Sequence, residues 1–196
     1  ILSSVVPPLT TIFTDAIARL TGIPPMVVGP GVKTGLNIRL AVQSQVGADI
    51  VADAVAALEK FEPPIVTIDM GTATTIEVVG KGNTYLGGVV IPGIRVSADS
   101  LTHSTALLPG IQLDRPKRAI CKNTVDAIRA GVMFSAADTL DGMIRRFEAE
   151  LGEPATVIAT GGIAQFVVPL CQRTMILEKD LLLKGMNYLY HKNKKH

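Results

Sequence analysis

Tryptophan is absent from this chain of 196 residues, and five phenylalanines with three tyrosines bring aromatics to only 4%. A core must therefore be aliphatic, which suits helices laid on β-sheet. Charge is also sparse. Only 18% of residues carry one, and the net of +2 is too small to argue for nucleic acid or an anionic membrane as partner. The basic run KNKK within HKNKKH reads as a solvated tail. Two cysteines, Cys121 and Cys171, make no disulfide framework and point to reduced thiols. His103, His191 and His196 are too scattered for a zinc site, and neither CxxC nor HExxH spacing occurs. No stretch approaches the roughly 20 apolar residues of a membrane helix, and no secretory pattern is seen. The expectation is a cytoplasmic protein with neither a nucleic-acid nor a membrane partner.

What is present is 47% hydrophobic, enough for the core of one or two domains. Leu2 to Val6 reads as a strand closed by Pro7-Pro8. Thr10 to Leu20 spaces Ile12, Phe13, Ile17 and Leu20 as an amphipathic helix. Met26 to Val28 predicts a short strand running into the Gly/Pro loop GPGVKTGL, 29–36. A helix is expected over Ala48–Phe61, and Pro63-Pro64 then punctuate the chain, so the domain boundary is set there: residues 1–62 and 63–196. Past it, Ile65–Met70, Thr75–Val79 and Thr84–Val90 predict a β-meander with GKGN as hairpin loop. A helical segment after Pro92-Gly93, a helix from Asn123 toward Phe147, strands Thr156–Ala159 and Thr174–Leu177, and a helix from Asp180 complete a mixed α/β pattern.

Five short elements carry chemistry. IDMGTATT, 68–75, ends a buried-looking strand on Asp69 and follows it with Gly71 and threonines. Glycine permits close approach of a ligand, successive N–H groups and hydroxyls make an anion-binding concavity, and a carboxylate there suits a cation. The alternative is an ordinary capped hairpin. In GPGVKTG, Lys33 and Thr34 suit a carboxylate or phosphate; otherwise the loop is a structural crossover. In VGADI, 46–50, Asp49 stands at a helix start, where an N-cap is the ordinary role. ATGG, 159–162, admits a flat ring or another backbone. KNT, 122–124, opens a helix, with Thr124 as the default cap.

In this order, GPGVKTGL, GADxxAxAVAA, IDMGTATT, GGxxxPGI, KNTVxA and ATGG resemble the type III pantothenate kinases, of the actin-like, sugar-kinase and Hsp70 phosphotransferase superfamily. The resemblance spans residues 3 to about 190. It implies an α/β fold of two RNase H-like domains with mixed sheets, the first incomplete in this chain. It implies ATP-dependent phosphorylation of pantothenate to 4'-phosphopantothenate, the opening step of coenzyme A synthesis, by a homodimer needing Mg²⁺ and a monovalent cation (K⁺ or NH₄⁺). The implied catalytic base is Asp49, with Gly47, Ala48 and Ile50 beside it in the pantothenate pocket and Thr124 reaching pantothenate across the dimer. Asp69 is the implied potassium ligand, Gly71 and Thr72 belong to the second phosphate loop, and Gly161 and Gly162 to the adenosine motif. Ile128, Val132 and Met133, within 125–144, are candidates for the dimer interface or for intramolecular core.

Three positions depart from the family pattern. Ile50 replaces an arginine that contacts pantothenate, Leu40 stands for a tyrosine, and Gln43 for the proline of an Asn-Pro turn. Loss of a charge-assisted hydrogen bond costs about 1.5–3 kcal/mol, which weakens binding without removing the base. The family's first phosphate loop, D-x-G-N-T, is not found, and the chain opens without Met in a strand-like run, so a preceding segment is expected. The rival reading is a non-catalytic relative akin to the Bvg accessory factors.

Overall fold

A computed structural model describes residues 1–39, 46–105 and 107–194. Leu40 and Gln43, two of the departures above, lie outside the described residues. In chain order the elements are α1 (Pro7–Thr21), β1 (Asn37–Ile38), α2 (Ala48–Leu58), β2 (Ile65–Met70), β3 (Ala73–Gly80), β4 (Thr84–Pro92), α3 (Ile94–Ser104), α4 (Thr124–Leu151), β5 (Thr156–Thr160), α5 (Ala164–Val167), β6 (Ile176–Leu177) and α6 (Leu181–Asn193), with a 3₁₀ turn at Val168–Leu170. The strands form one sheet in the order β1-β4-β3-β2-β5-β6. β1 lies parallel to β4 and β5 parallel to β6. The β2–β3 and β3–β4 connections are only two and three residues long, too short for anything but antiparallel pairing, so the sheet is mixed.

The expected strand over Leu2–Val6 reduces to an isolated bridge between Leu2 and Val27. Pro7 and Pro8 start α1 instead of ending a strand. Proline suits the first helical turn, where its missing N–H has no intrahelical partner. The predicted Met26–Val28 strand is likewise the Val27 side of that bridge.

The chain divides into two compact units. The first comprises Ile1–Ile65, Val79–Gly87 and Asp180–His196. Its centre is α2 packed on α6. Alanine dominates α2 and removes bulk from the contact, and a Cβ on Gly185 of α6 would collide with the Ala52 carbonyl. Val28, Val51, Ala52, Val55 and Leu189 form its apolar cluster, with Val32, Leu36 and Ala48 packed against it.

The second unit comprises Val66–Val78 and Gly88–Lys179. Val66, Ile68 and Met70 of β2, Ile76 and Val78 of β3, and Val157 and Ala159 of β5 share one core with α4. A central strand covered on both faces reads as a continuous apolar run, which is why IVTIDM lacks alternation. α4 is capped by Asn123 and ended by Gly152, at φ 74°. Its Ile128, Val132 and Met133 are 8%, 8% and 0% exposed. These three candidates for a dimer interface are intramolecular core.

Candidate active site

In the first unit, α2 carries the expected base. Its N-cap is Gly47, extended at φ −61° and ψ 147°. Asp49 is therefore in the first turn and not at the cap. Its Oδ1 accepts the Ile50 N–H at 2.9 Å, and its Oδ2 has no hydrogen bond among the described residues. A Cβ on Gly47 would overlap Asp49 Oδ1, so glycine is what lets the carboxylate fold over the helix start. The positive end of the helix dipole lies beneath this anionic group. Gly47, Ala48, Asp49 and Ile50 are all half-buried.

The GPGVKTG loop belongs to the same unit. Gly31 and Gly35 take φ of 92° and 82°, which only glycine adopts without strain. The Thr34 hydroxyl accepts the Leu36 N–H at 3.0 Å. The Lys33 side chain is exposed and has no ion pair among the described residues.

In the second unit, β2 delivers a half-buried Asp69 to the hairpin, where Gly71 and Thr72 are exposed and Thr74 is buried. Gly71 N–H donates to the Ala73 carbonyl at 3.0 Å, and Gly93 N–H donates to the Thr72 carbonyl at 3.1 Å. A Cβ on Gly93 would strike the Gly71 and Thr72 carbonyls. Gly161, at φ 96°, lies against the residue before that turn, where a Cβ would stand 2.6 Å from the Met70 carbonyl oxygen and 2.7 Å from its nitrogen. Gly162 has open space instead. Three separate motifs, IDMGTATT, PGI and ATGG, thus meet backbone to backbone at one strand end. The Thr72 hydroxyl makes no hydrogen bond among the described residues, leaving an available donor at the hairpin tip.

Thr124 is not the cap of α4. Asn123 is: it accepts the Asp126 N–H at 2.9 Å and donates to its carboxylate at 2.8 Å. The exposed Thr124 hydroxyl is left without a partner among the described residues. Arg115, Lys117, Arg118, Lys122 and Arg129 line a cleft of about 470 Å³ beside it, together with Asp114 and Asp126.

No group of three or more His, Cys, Asp or Glu side chains that could hold a metal ion gathers among the described residues. A single carboxylate such as Asp69 suits a cation that takes its other ligands from phosphate, backbone and water.

Residues 1–146 match the family model described as type III pantothenate kinase. The chain belongs to the type III pantothenate kinase family. A type III pantothenate kinase from Moorella thermoacetica is 40% identical over 193 residues, 98% of this chain and 76% of that protein. One from Halalkalibacterium halodurans is 36% identical over the same shares. Among solved structures, a Campylobacter jejuni protein assigned by its description to the Baf family of transcriptional activators superposes with a TM-score of 0.62. It is 22% identical over 93% of this chain and 78% of that one, a likeness of fold alone.

Within this family pattern, some features of the site are invisible in the motifs. Gly161 meets the Met70 backbone, one of the two close approaches that ATGG allowed, but which backbone Gly93 and Gly161 meet is not shown by spacing. Asn193 and Lys192 of α6 bond the GPGVKTG loop, and no spacing rule links residues about 160 apart. No helix among the described residues is long and apolar enough to cross a membrane.

Proposed function

We propose that this chain phosphorylates pantothenate, transferring the γ-phosphoryl group of ATP to its primary hydroxyl. The observation that carries the reading is identity of 36–40% to named type III pantothenate kinases over 98% of the chain. That span includes every motif described above.

Asp49 is the general base. Its Oδ2 accepts the hydroxyl proton while the alkoxide oxygen forms its bond to phosphorus and ADP departs with the electrons of the broken P–O bond. Such a base contributes about 10²–10⁴ in rate. Gly47 and Ala48 line the pantothenate pocket, and Ile50 presents an alkyl group there. Gly71 and Thr72 meet the phosphates through N–H and hydroxyl donors, and Gly161 and Gly162 admit the adenosine. Mg²⁺, when bound, neutralises charge on the phosphates, and Asp69 is the side chain suited to hold a monovalent cation. The working assembly is a homodimer in which Thr124 of one copy reaches pantothenate bound to the other, and the protein works in the cytoplasm.

Pantothenate-dependent ADP release by the full-length protein tests this. Asp49→Asn should lower kcat by about 10²–10⁴ with an unchanged melting temperature. Ile50 favours one competing outcome: no turnover from a folded protein, which would support a non-catalytic relative.

A further inference from the structure

The GPGVKTG loop has glycines at both ends of its turn and little regular structure, yet one residue in it is fixed at both backbone groups. The Lys33 N–H donates to Asn193 Oδ1 at 2.7 Å. Asn193 Nδ2 donates back to the Lys33 carbonyl at 2.9 Å. A side-chain amide here takes the place of a neighbouring strand. The same Nδ2 donates to the Leu189 carbonyl one turn earlier at 2.9 Å, which fixes the amide's orientation from inside α6. Lys192 Nζ adds a bond to the Thr34 carbonyl at 3.3 Å. Among the described residues, these are the only hydrogen bonds from residues 29–35 to another element.

The apolar contacts run the same way. Val32 and Leu36 flank the clasped residue and pack on the cluster that holds Leu189 of α6 and Val51, Ala52 and Val55 of α2. Thus α6 supports both the loop and the helix that carries Asp49. With its backbone pinned on both sides, Lys33 carries an exposed ammonium with no ion pair among the described residues, and Ile50, in the matched substrate motif, supplies no charge.

We infer that Asn193 is a positioning residue for pantothenate: by clasping the Lys33 backbone it holds the loop so that the Lys33 ammonium faces the substrate's anionic end. This rests on the kinase reading above. A merely structural role would lower the active fraction, reducing kcat and leaving both KM values alone. A positioning role raises KM for pantothenate and spares KM for ATP.

The test combines steady-state kinetics with amide hydrogen exchange on the full-length protein, for Asn193→Ala, Asn193→Asp and Lys192→Ala. Loss of both hydrogen bonds to the Lys33 backbone predicts a rise of about tenfold in pantothenate KM for N193A. Exchange at residues 29–35 should be faster while α2 stays protected. N193D should do no better, because it sets a carboxylate against the Lys33 and Leu189 carbonyls. K192A, losing one long bond, should change pantothenate KM less than threefold, roughly the scale of a weak surface hydrogen bond. Unchanged loop exchange in N193A, wild-type behaviour of N193D, or faster exchange with unchanged pantothenate KM would each overturn the inference. If the unsubstituted protein turns over no pantothenate, the kinase reading fails separately. Exchange together with calorimetric titration of pantothenate then judges the clasp, and equal affinity in N193A would sink it.

Discussion

At the scale of single residues, Asn123 and Thr124 separate two roles that sequence reading merges. Asn123 satisfies the orphan N–H of Asp126, so Asn123→Ala should cost about 1 kcal/mol of stability, measured by urea denaturation. Thr124→Ala removes a hydroxyl that bonds nothing among the described residues. It should leave stability within about 0.5 kcal/mol while raising KM for pantothenate. Cys171 offers a second check. Burial first, then the nearby carboxylates Asp141 and Asp138, push its thiol up to about 12. It should resist alkylation at pH 8 in the native protein and react on unfolding. The folded chain keeps this proton where the unfolded chain loses it. The thiol therefore favours the unfolded state as pH rises from its ordinary 9.0 toward about 12. Cys171→Ala should flatten that fall in melting temperature. Residues inside contiguous motifs, such as Asp49, Asp69 and Gly71, were proposed from sequence. Asn193 was not, because its chemistry depends on a partner 160 residues away.

At the scale of elements, the meander and the long helix were legible. Apolar runs and the GKGN turn define β2 to β4, and α4 has sustained periodicity with a Gly152 stop. The two-residue strands β1 and β6 were not fully legible, since their pairing is set by neighbours and not by pattern. The strand expected at Leu2–Val6 failed because two prolines serve a helix start better than a strand end. The segment after the 3₁₀ turn is tied to α4 by polar contacts. Asp141, 5% exposed, accepts the Gln172 and Arg173 N–H groups at 2.7 and 3.0 Å. The Arg173 guanidinium meets Glu148 at 2.7 Å. Asp141→Ala removes a buried acceptor shared by two backbone N–H groups and should cost roughly 1–3 kcal/mol by chemical denaturation. Gly161→Ala brings a Cβ against the Met70 backbone at a positive φ. It should cost roughly 2–4 kcal/mol and weaken ATP binding in calorimetry.

At the scale of the whole molecule, the family and the α/β class with its mixed sheet were legible in the order of the motifs. No single motif would have sufficed, since each has an ordinary structural reading. The dimer proposal makes a sharp prediction here. Asp49→Asn and Thr124→Ala each damage a site, but a mixed dimer would pair one intact Asp49 with one intact Thr124. Mixing the two inactive or weakened proteins under exchange conditions should restore activity beyond their sum. Simple additivity would place both residues in the same copy's site.

The central claim is chemical, and one measurement tests it most directly: mass-spectrometric detection of phosphopantothenate from ATP, Mg²⁺ and pantothenate, with and without potassium, using full-length protein. The account predicts potassium-dependent product that disappears in Asp49→Asn. No product at saturating pantothenate from a correctly folded protein would contradict it.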